Sequence, residues 1–325
     1  MTEHAIALSN LTKTFGPKVA VSDLDLVVPR GSLYGFIGPN GAGKTTTIRM
    51  IMSILFPDSG ELSVLGKASA LEAKDRIGYL PEERGVYRKM KVAAFLRYMG
   101  HLKGLGGSTL KKEVDGWLER VGLADVAGKL CEELSKGMQQ KIQFVSSVLH
   151  KPELIILDEP FSGLDPVNMR LLRDLIREQH ENGTTVIFST HVMHQAEELC
   201  DHIVMIHDGQ KMLDDSLREI RDRFDPRLVY LEPLDNNAEP SALDNVDGVT
   251  GVEQEQGTWH VRLREGADPR RVLGELVAAV PPARVELHRP SLEDVFVDIV
   301  TETSGDSERQ VRDVLHGGGT AEASA

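Results

Sequence analysis

Short apolar runs alternate with amphipathic segments over the first two thirds of the chain. Continuous apolar runs are typical of strands buried on both faces. The sequence predicts such strands at residues 33–37, 77–80, 154–157, 185–189 and 203–206. Between them, apolar residues recur at helical spacing, as in Val92, Phe95, Leu96 and Met99. Strands that alternate with helices indicate an α/β domain with a mainly parallel sheet over residues 1–223.

The pattern changes after a Pro-containing linker at residues 224–226. The sequence predicts four further strands, at residues 229–231, 252–255, 260–263 and 285–287. It also predicts two helices, which begin after Asp268 and after Ser291. These elements indicate a small α+β domain of its own over residues 224–303. From residue 304 onward a glycine run and an Ala/Ser/Glu ending predict a disordered tail over residues 304–325.

Composition narrows the classes of function. The chain has 325 residues, with 37 Lys and Arg against 50 Asp and Glu, and a net charge of −13. This acidity disfavours non-specific binding of nucleic acid, so we expect no nucleic-acid partner. No apolar stretch approaches the roughly 18 residues that span a bilayer. The first residues lack the pattern of a secretory signal, and two cysteines without a CxxC pair indicate a reduced, intracellular protein.

A glycine-rich segment follows the strand predicted at residues 33–37 and precedes a helix. It matches G-x-x-x-x-G-K-[ST] with Gly38, Pro39, Asn40, Gly41, Ala42, Gly43, Lys44, Thr45 and Thr46. The glycines let backbone N–H groups turn toward phosphates, and the helix N-terminus adds a favourable dipole. Lys44 is predicted to reach the β- and γ-phosphates of a nucleotide, and Thr45 to bind Mg²⁺. A chance glycine-rich turn is the alternative, which the strand–loop–helix context disfavours.

Two acids end the apolar strand predicted at residues 154–157. Asp158 at a strand end can hold Mg²⁺, and the neighbouring Glu159 can orient or deprotonate an attacking water. The alternative is that both acids simply begin a solvated loop. Together with the phosphate loop, the pair instead predicts hydrolysis of a nucleoside triphosphate.

Three further segments follow the phosphate loop in a fixed order. Ser135 and Gly137 precede a helix, Asp165 follows the paired acids, and His191 ends the strand predicted at residues 185–189. By itself, Ser-x-Gly before a helix is only a good N-cap. The ordered set over residues 5–220 resembles the ATP-binding-cassette (ABC) transporter ATPases. This resemblance implies a P-loop NTPase domain with a helical subdomain.

The resemblance also implies a head-to-tail dimer that holds two ATP molecules with Mg²⁺. Each ATP lies on the phosphate loop of one subunit and under Ser135 and Gly137 of the other. His191 resembles the histidine that contacts the γ-phosphate, and Asp165 resembles a residue that communicates across the dimer. Phe15 occupies the position of an aromatic residue that stacks on adenine; an ordinary core position is the alternative for this residue.

The chain departs from the common family pattern in two places. Lys136 and Met138 stand where Gly and Gln are usual, although Ser135 and Gly137 are kept. Glu82 stands where the family usually has a glutamine, and its carboxylate can bind Mg²⁺ but cannot donate an amide hydrogen bond. We therefore expect Glu82 to take part in catalysis and metal binding. The alternative is that it faces solvent or pairs with Arg84 or Arg88.

Residues 80–87 and 290–296 resemble a subgroup, the ATPase subunits of bacterial sodium- and drug-efflux exporters. The resemblance implies a separate transmembrane permease, a second ATPase copy as homodimer or close paralogue, and a cytoplasmic position on the inner face of the cell membrane. We expect the basic residues Arg84, Arg88, Lys89 and Lys91 to face this membrane partner rather than only solvent. Sodium, a drug or a lipid are candidate cargoes. The alternative function is a soluble ABC ATPase that acts on a ribosome or a nucleic-acid complex.

Overall fold

The computed structural model describes residues 4–83, 85–224, 228–235, 237–255, 257–264, 266–288, 290–304 and 308–315. Contacts divide the chain into two compact units, Met1–Ser216 with Ile299–Ala325, and Leu217–Asp298. The sequence predicts the first boundary at residue 223 and the end of the second domain at residue 303. The structure places both boundaries somewhat earlier.

The first unit contains nine strands and six helices among the residues described up to Ser216. In chain order they are β1 (His4–Phe15), β2 (Lys18–Pro29), β3 (Leu33–Ile37), α1 (Lys44–Ile51), β4 (Ser59–Val64), β5 (Ile77–Leu80), α2 (Val92–Leu102), α3 (Gly107–Arg120), α4 (Lys136–Val148), β6 (Leu154–Asp158), α5 (Pro166–Glu181), β7 (Thr185–Thr190), α6 (Met193–Leu199), β8 (His202–His207) and β9 (Gln210–Ser216). Short 3₁₀ turns lie at Ala70–Arg76, Ala124–Val126 and Cys131–Glu133.

A six-stranded sheet forms the centre of this unit, in the order β5-β6-β7-β3-β8-β9. The first five strands are parallel, and only β9 runs antiparallel to its neighbour. The sequence prediction of a mainly parallel sheet is therefore confirmed. Because parallel strands end at the same edge of a sheet, the residues that follow β3, β5, β6 and β7 all reach one edge.

A second, three-stranded antiparallel sheet has the order β2-β1-β4 and was missed by the sequence analysis. Its strands are long and bulged, with register shifts in β1 and left-handed backbone at Asn10 and Asp23. These irregularities break the strict alternation by which such strands are recognised. The sheet shares its buried core with α1, so it supports the helix that follows the phosphate loop.

Helices α2, α3 and α4 form the helical subdomain that the family resemblance predicts. Apolar residues at helical spacing bury one face of α2 and of α3, whereas α4 is buried all round from Gln140 to Val148. The Trp117 and Phe144 rings meet edge to face at 6.4 Å. Unlike the other two helices, α4 also buries polar side chains, including Gln140 and Gln143. Among the described residues, every helix is too short or too polar to cross a lipid bilayer.

The second unit is a small α+β domain, as the sequence predicts. It contains α7 (Leu217–Arg223), β10 (Leu228–Pro233), β11 (Val249–Glu255), β12 (Thr258–Leu263), α8 (Pro269–Ala279), β13 (Pro282–His288) and the start of α9 (Leu292–Ser304). The sheet is antiparallel, in the order β11-β12-β10-β13, with a short 3₁₀ turn at Pro240–Leu243. One sheet face and α8 enclose a core that includes Leu231, Trp259, Val272 and Leu276. Asp268 caps α8 by accepting a hydrogen bond from the N–H of Arg270.

The segment after residue 304 differs in part from the predicted disordered tail. Glu308–Leu315 form a further helix, α10, in which Val311 is buried. The expectation of disorder is therefore wrong for this stretch, because apolar residues at positions 311 and 315 give one turn of it an apolar side. Residues 305–307 and 316–325 lie outside the described residues, so the prediction for them stays a prediction.

Candidate nucleotide site

The phosphate loop has a backbone that only glycine can adopt at two positions. Gly38 has φ +150°, and a Cβ there would lie 2.1 Å from the carbonyl oxygen of Ile206. Gly43 has φ +112°, and a Cβ there would lie 2.5 Å from the carbonyl oxygen of Ala20. Gly43 is also the N-cap of α1, so the first N–H groups of this helix open into the loop. The arrangement suits an anion such as a phosphate.

Lys44 lies inside this loop and is 6% exposed. Its Nζ donates to the carbonyl oxygens of Gly38 at 2.7 Å and Pro39 at 3.0 Å. Burial lowers the pKa of Lys44, while nearby carboxylates, above all Glu159, act in the opposite direction and favour the charged form. The loop thus holds a desolvated cation directly under the helix N-terminus, where phosphate oxygens can replace the carbonyls as its partners.

Asp158 ends β6 at the same edge and is 1% exposed. Its Oδ1 accepts hydrogen bonds from the hydroxyls of Ser189 at 2.5 Å and Thr45 at 3.5 Å. Its Oδ2 is buried and has no hydrogen-bond partner among the described residues. Burial raises the pKa of Asp158, and the hydrogen bond from Ser189 partly opposes this. Mg²⁺ prefers oxygen ligands, and here an unpaired carboxylate oxygen of Asp158 lies near the hydroxyl of Thr45. These two residues therefore fit that ion.

Glu159 follows directly and is held in an unusual conformation. Its φ is +48°, a left-handed value that costs free energy for a residue with a side chain. Its N–H donates to the carbonyl oxygen of Ser189 at 3.1 Å. Its Oε1 accepts from the backbone N–H of His191 at 3.0 Å and lies 2.8 Å from the Nδ1 of the same residue. The strained backbone and the pair with His191 together orient the carboxylate.

A cavity of about 430 Å³ brings most of the predicted residues together. Its lining is Phe15, Lys18, Ala20, Asn40, Gly41, Gly43, Lys44, Thr45, Thr46, Glu82 and Glu159. Phe15 is 50% exposed, so the alternative of an ordinary core phenylalanine is wrong. Its contact with adenine stays a prediction. Lys18 and Ala20 were not singled out from the sequence, which carries no motif at the start of β2.

The predicted residues that do not line this cavity are Gly38, Pro39, Ala42, Ser135, Gly137, Asp158, Asp165 and His191, and three of them lie at the starts of helices. Ser135 caps α4, where its Oγ accepts a hydrogen bond from the N–H of Met138 at 3.3 Å. Asp165 caps α5 and accepts from the N–H of Asn168 at 3.0 Å. Gly137 lies in the first turn of α4. Within this single chain, Ser135 and Asp165 therefore act as helix caps, and the roles of all three toward a second copy stay predictions.

The structure adds three residues that the sequence analysis missed. Ser189 bonds Asp158, Gln140 donates to the carbonyl oxygen of Pro160 at 2.9 Å, and Gln143 donates to two carbonyls near Glu82. Ser189 could have been proposed from the sequence, because it is a polar residue near the end of an apolar strand that precedes the predicted site residue His191. The two glutamines had none, because their partners lie about 20 and 60 residues away in the chain.

The basic residues after Glu82 are only partly described. Arg84 lies outside the described residues, and so does the alternative in which it pairs with Glu82. Arg88 is mostly exposed, with its Nε 3.9 Å from a carboxylate oxygen of Glu132, so the structure gives it a different acidic neighbour from Glu82. Glu82 itself lines the nucleotide cavity.

Comparisons with known proteins agree with this geometry. The sequence pattern described as "ABC transporter" matches residues 21–162, and "ATP-binding protein DrrA1-3-like, C-terminal domain" matches residues 216–300. The chain is 40% identical over 295 residues to "Uncharacterized ABC transporter ATP-binding protein YhaQ" of Bacillus subtilis (strain 168), which covers 91% of this chain and 98% of the relative. The chain belongs to the ABC transporter ATP-binding proteins.

Two further likenesses extend over the fold and the C-terminal domain. "Daunorubicin resistance ATP-binding protein DrrA3" of Streptomyces coeruleorubidus is 32% identical, over 95% of this chain and 98% of the relative. A solved "Structure of ATP binding subunit of ABC transporter" matches with a TM-score of 0.64 and 31% identity, over 68% of this chain and 93% of the other. This ABC-family ATP-binding subunit is therefore an ATPase with an ABC fold and a DrrA-like C-terminal domain, as the sequence resemblance predicts.

Proposed function

We propose that this ATP-binding subunit hydrolyses MgATP in the described cavity and powers a separate membrane permease that exports a small compound. The observation that carries the catalytic part is the edge formed by β6 and β7. There a buried carboxylate with one open oxygen, Asp158, lies beside the Glu159–His191 pair and the phosphate loop.

The chain's own residues supply positioning, charge and a base. Phosphate oxygens accept hydrogen bonds from the N–H groups at the start of α1 and from Lys44. Glu159 takes the proton of the attacking water, since its Oε1 is already held by His191 and Oε2 has no hydrogen-bond partner among the described residues. His191 fixes the direction of that carboxylate and, at 40% side-chain exposure, can also reach the γ-phosphate.

Asp158 and Thr45 would hold Mg²⁺, and Glu82 is the third candidate ligand on the cavity wall. The ion supplies positive charge against the β- and γ-phosphate oxygens. Ser189 would keep Asp158 in place for a metal by donating to Oδ1, while Oδ2 has no protein partner among the described residues.

A second copy completes the site in this proposal. Ser135 and Gly137 begin α4 but do not line the cavity of their own chain, and a helix N-terminus is suited to a phosphate. A head-to-tail dimer would place them over the ATP of the partner subunit. Asp165, at the start of α5, would lie at the same subunit boundary.

The permease and its cargo are inferred from likeness. The DrrA-like C-terminal domain and the likeness to a daunorubicin-resistance protein, DrrA3, support a drug as cargo, and sodium and a lipid are the other candidates. The exposed Arg88, with Lys89 and Lys91, offers positive charge to a membrane partner at the inner face of the cell membrane.

Purification from native membranes tests the assignment against the alternative of a factor for ribosomes or nucleic acid. We expect the wild-type chain to co-purify with a polytopic membrane protein, and the reconstituted pair to couple ATP hydrolysis to transport of one of the three cargoes. Association with ribosomes or nucleic acid, and no membrane partner, would establish the alternative instead.

A further inference from the structure

The loop after β5 carries Glu82 into the nucleotide cavity, but few contacts hold it. Residues 81–83 have no regular secondary structure, and Glu82 is exposed. Among the described residues, these three form no backbone-to-backbone hydrogen bond outside β5. A carboxylate on such a loop has a variable position unless another group restrains the loop.

Gln143 is that group. Its Nε2 donates to the carbonyl oxygens of Pro81 at 3.4 Å and Glu83 at 3.2 Å, the residues on either side of Glu82. One amide nitrogen carries two protons, so it can satisfy both carbonyls at once. The two bonds are long and individually weak, but together they fix the backbone on both sides of the carboxylate.

The burial of Gln143 indicates that its amide serves these hydrogen bonds. Gln143 is 4% exposed and lies in the buried part of α4, between Ile142 and Phe144. Burying an amide costs free energy unless hydrogen bonds replace those to water, and here only the Nε2 has partners, since Oε1 is buried without one among the described residues. An apolar residue would fill the same space without that cost, so helix packing alone does not account for a glutamine.

We propose that Gln143 is a positioning residue, which holds the loop of Glu82 and thereby sets where that carboxylate lies in the nucleotide cavity. This inference rests on the proposed ATPase function. Gln143 does not line the cavity, and it acts only through Glu82.

The test compares Gln143→Met, which keeps the volume but has no donor, with Gln179→Met. Gln179 is another buried glutamine, on α5, and does not line the nucleotide cavity. Backbone ¹⁵N relaxation should show the order parameters of Glu82 and Glu83 falling from about 0.85, typical of rigid backbone, to below about 0.6 in Gln143→Met, because the two hydrogen bonds that restrain the loop are lost. The same residues should keep the wild-type order parameters in Gln179→Met.

Steady-state kinetics then show whether the effect passes through Glu82. We expect Gln143→Met to lower kcat about tenfold and to raise the Mg²⁺ concentration at half-maximal activity, with little change in KM for ATP. In a Glu82→Ala background the same change should cost less than about twofold. An equal loss in both backgrounds, or no loss in the wild-type background, would overturn the proposal.

Two safeguards keep the outcome decisive. If Gln143→Met does not fold, Gln143→Asn replaces it, since it keeps an amide that is one methylene too short to reach both carbonyls. If the wild-type chain does not hydrolyse ATP, the proposed function is wrong, while the order parameters of the loop still test the positioning. Unchanged order parameters of Glu82 and Glu83 in a folded Gln143 variant contradict this inference alone.

Discussion

Two neighbouring strands bring carboxylates to the nucleotide cavity and hold them in different ways. β5 and β6 are parallel, with Leu80 opposite Leu157, so both end at the same level of the sheet. Asp158 at the end of β6 and Glu159 directly after it are buried, and both are hydrogen-bonded to Ser189 of β7. Glu82 after β5 is exposed, and only its loop is held, by an amide from α4.

The comparison teaches that one site can combine a rigid and an adjustable carboxylate. At the end of β6, Asp158 has a desolvated carboxylate and Glu159 has a positive φ. Both features cost free energy and persist only because surrounding contacts hold these residues in place. Glu82, after β5, has neither a buried carboxylate nor a positive φ, and the position of its loop depends on the two long hydrogen bonds from Gln143. We expect substitutions at β6 to act on chemistry and stability, and those at β5 to act on metal dependence.

The largest effect should come from Glu159→Gln. The amide keeps the shape but cannot accept the proton of water, so kcat should fall by about 10²–10⁴-fold while ATP binding is retained. Light scattering should show a stabilised ATP-dependent dimer. Glu153→Gln, just before the opposite end of the same strand, is the matched control and should keep turnover. Hydrolysis by Glu159→Gln at the wild-type rate would refute its role as base.

Lys44→Ala should come next, with about 10–100-fold weaker binding of ATP, the loss expected for one or two charge-assisted hydrogen bonds to phosphate. Equilibrium titration with a labelled ATP analogue measures this. Lys112→Ala removes an exposed lysine from α3 and should bind ATP as the wild type does. Equal affinity of the two variants would mean that the phosphate loop is not the nucleotide site.

Glu82→Gln should have a smaller and more selective effect. If Glu82 is a metal ligand, the amide should raise the Mg²⁺ concentration at half-maximal activity several-fold, because a neutral oxygen attracts the ion less than a carboxylate. Glu83→Gln is the adjacent control, since Glu83 does not line the cavity. Superimposable Mg²⁺ titrations of Glu82→Gln and wild type would show that Glu82 is a solvated residue and not a ligand of the metal.

Asp158→Asn should give the smallest shift, and in the stabilising direction. Burial raises the pKa of Asp158 above its usual 3.8, so the folded state binds this proton more tightly than the unfolded state. That stabilisation is present below about pH 4 and is lost as pH rises through the folded pKa. Without the buried charge, the melting temperature of the nucleotide-free protein at pH 7 should rise by about 2–4 °C.

Calorimetry of both proteins between pH 4 and 7 measures this difference. The gap in melting temperature between variant and wild type should widen as pH rises through the folded pKa of Asp158. A lower melting temperature for Asp158→Asn at pH 7 would show that the rigid end of β6 carries no desolvation cost.

The amino-acid sequence determined the features that depend on local chemistry. The phosphate loop could be recognised from the sequence because positions with left-handed backbone and close neighbours, such as Gly38 and Gly43, need glycine. Strands β3 and β5 could be recognised because buried parallel strands are continuous apolar runs. Helix starts followed from capping residues such as Ser135 and Asp268, whose side chains bond N–H groups two or three residues away.

Tertiary structure decided what depends on distant partners. Strand β1 has no regular alternation and β2 alternates between exposed and buried residues only from Asp23 onward, so pairing defines the full length of both strands. The bond from Ser189 to Asp158 exists because β6 and β7 lie side by side, and Gln143 reaches the Glu82 loop only because α4 packs beside it. Such contacts follow from sheet order and helix packing, which are set by the free energy of the whole core and not by any single segment.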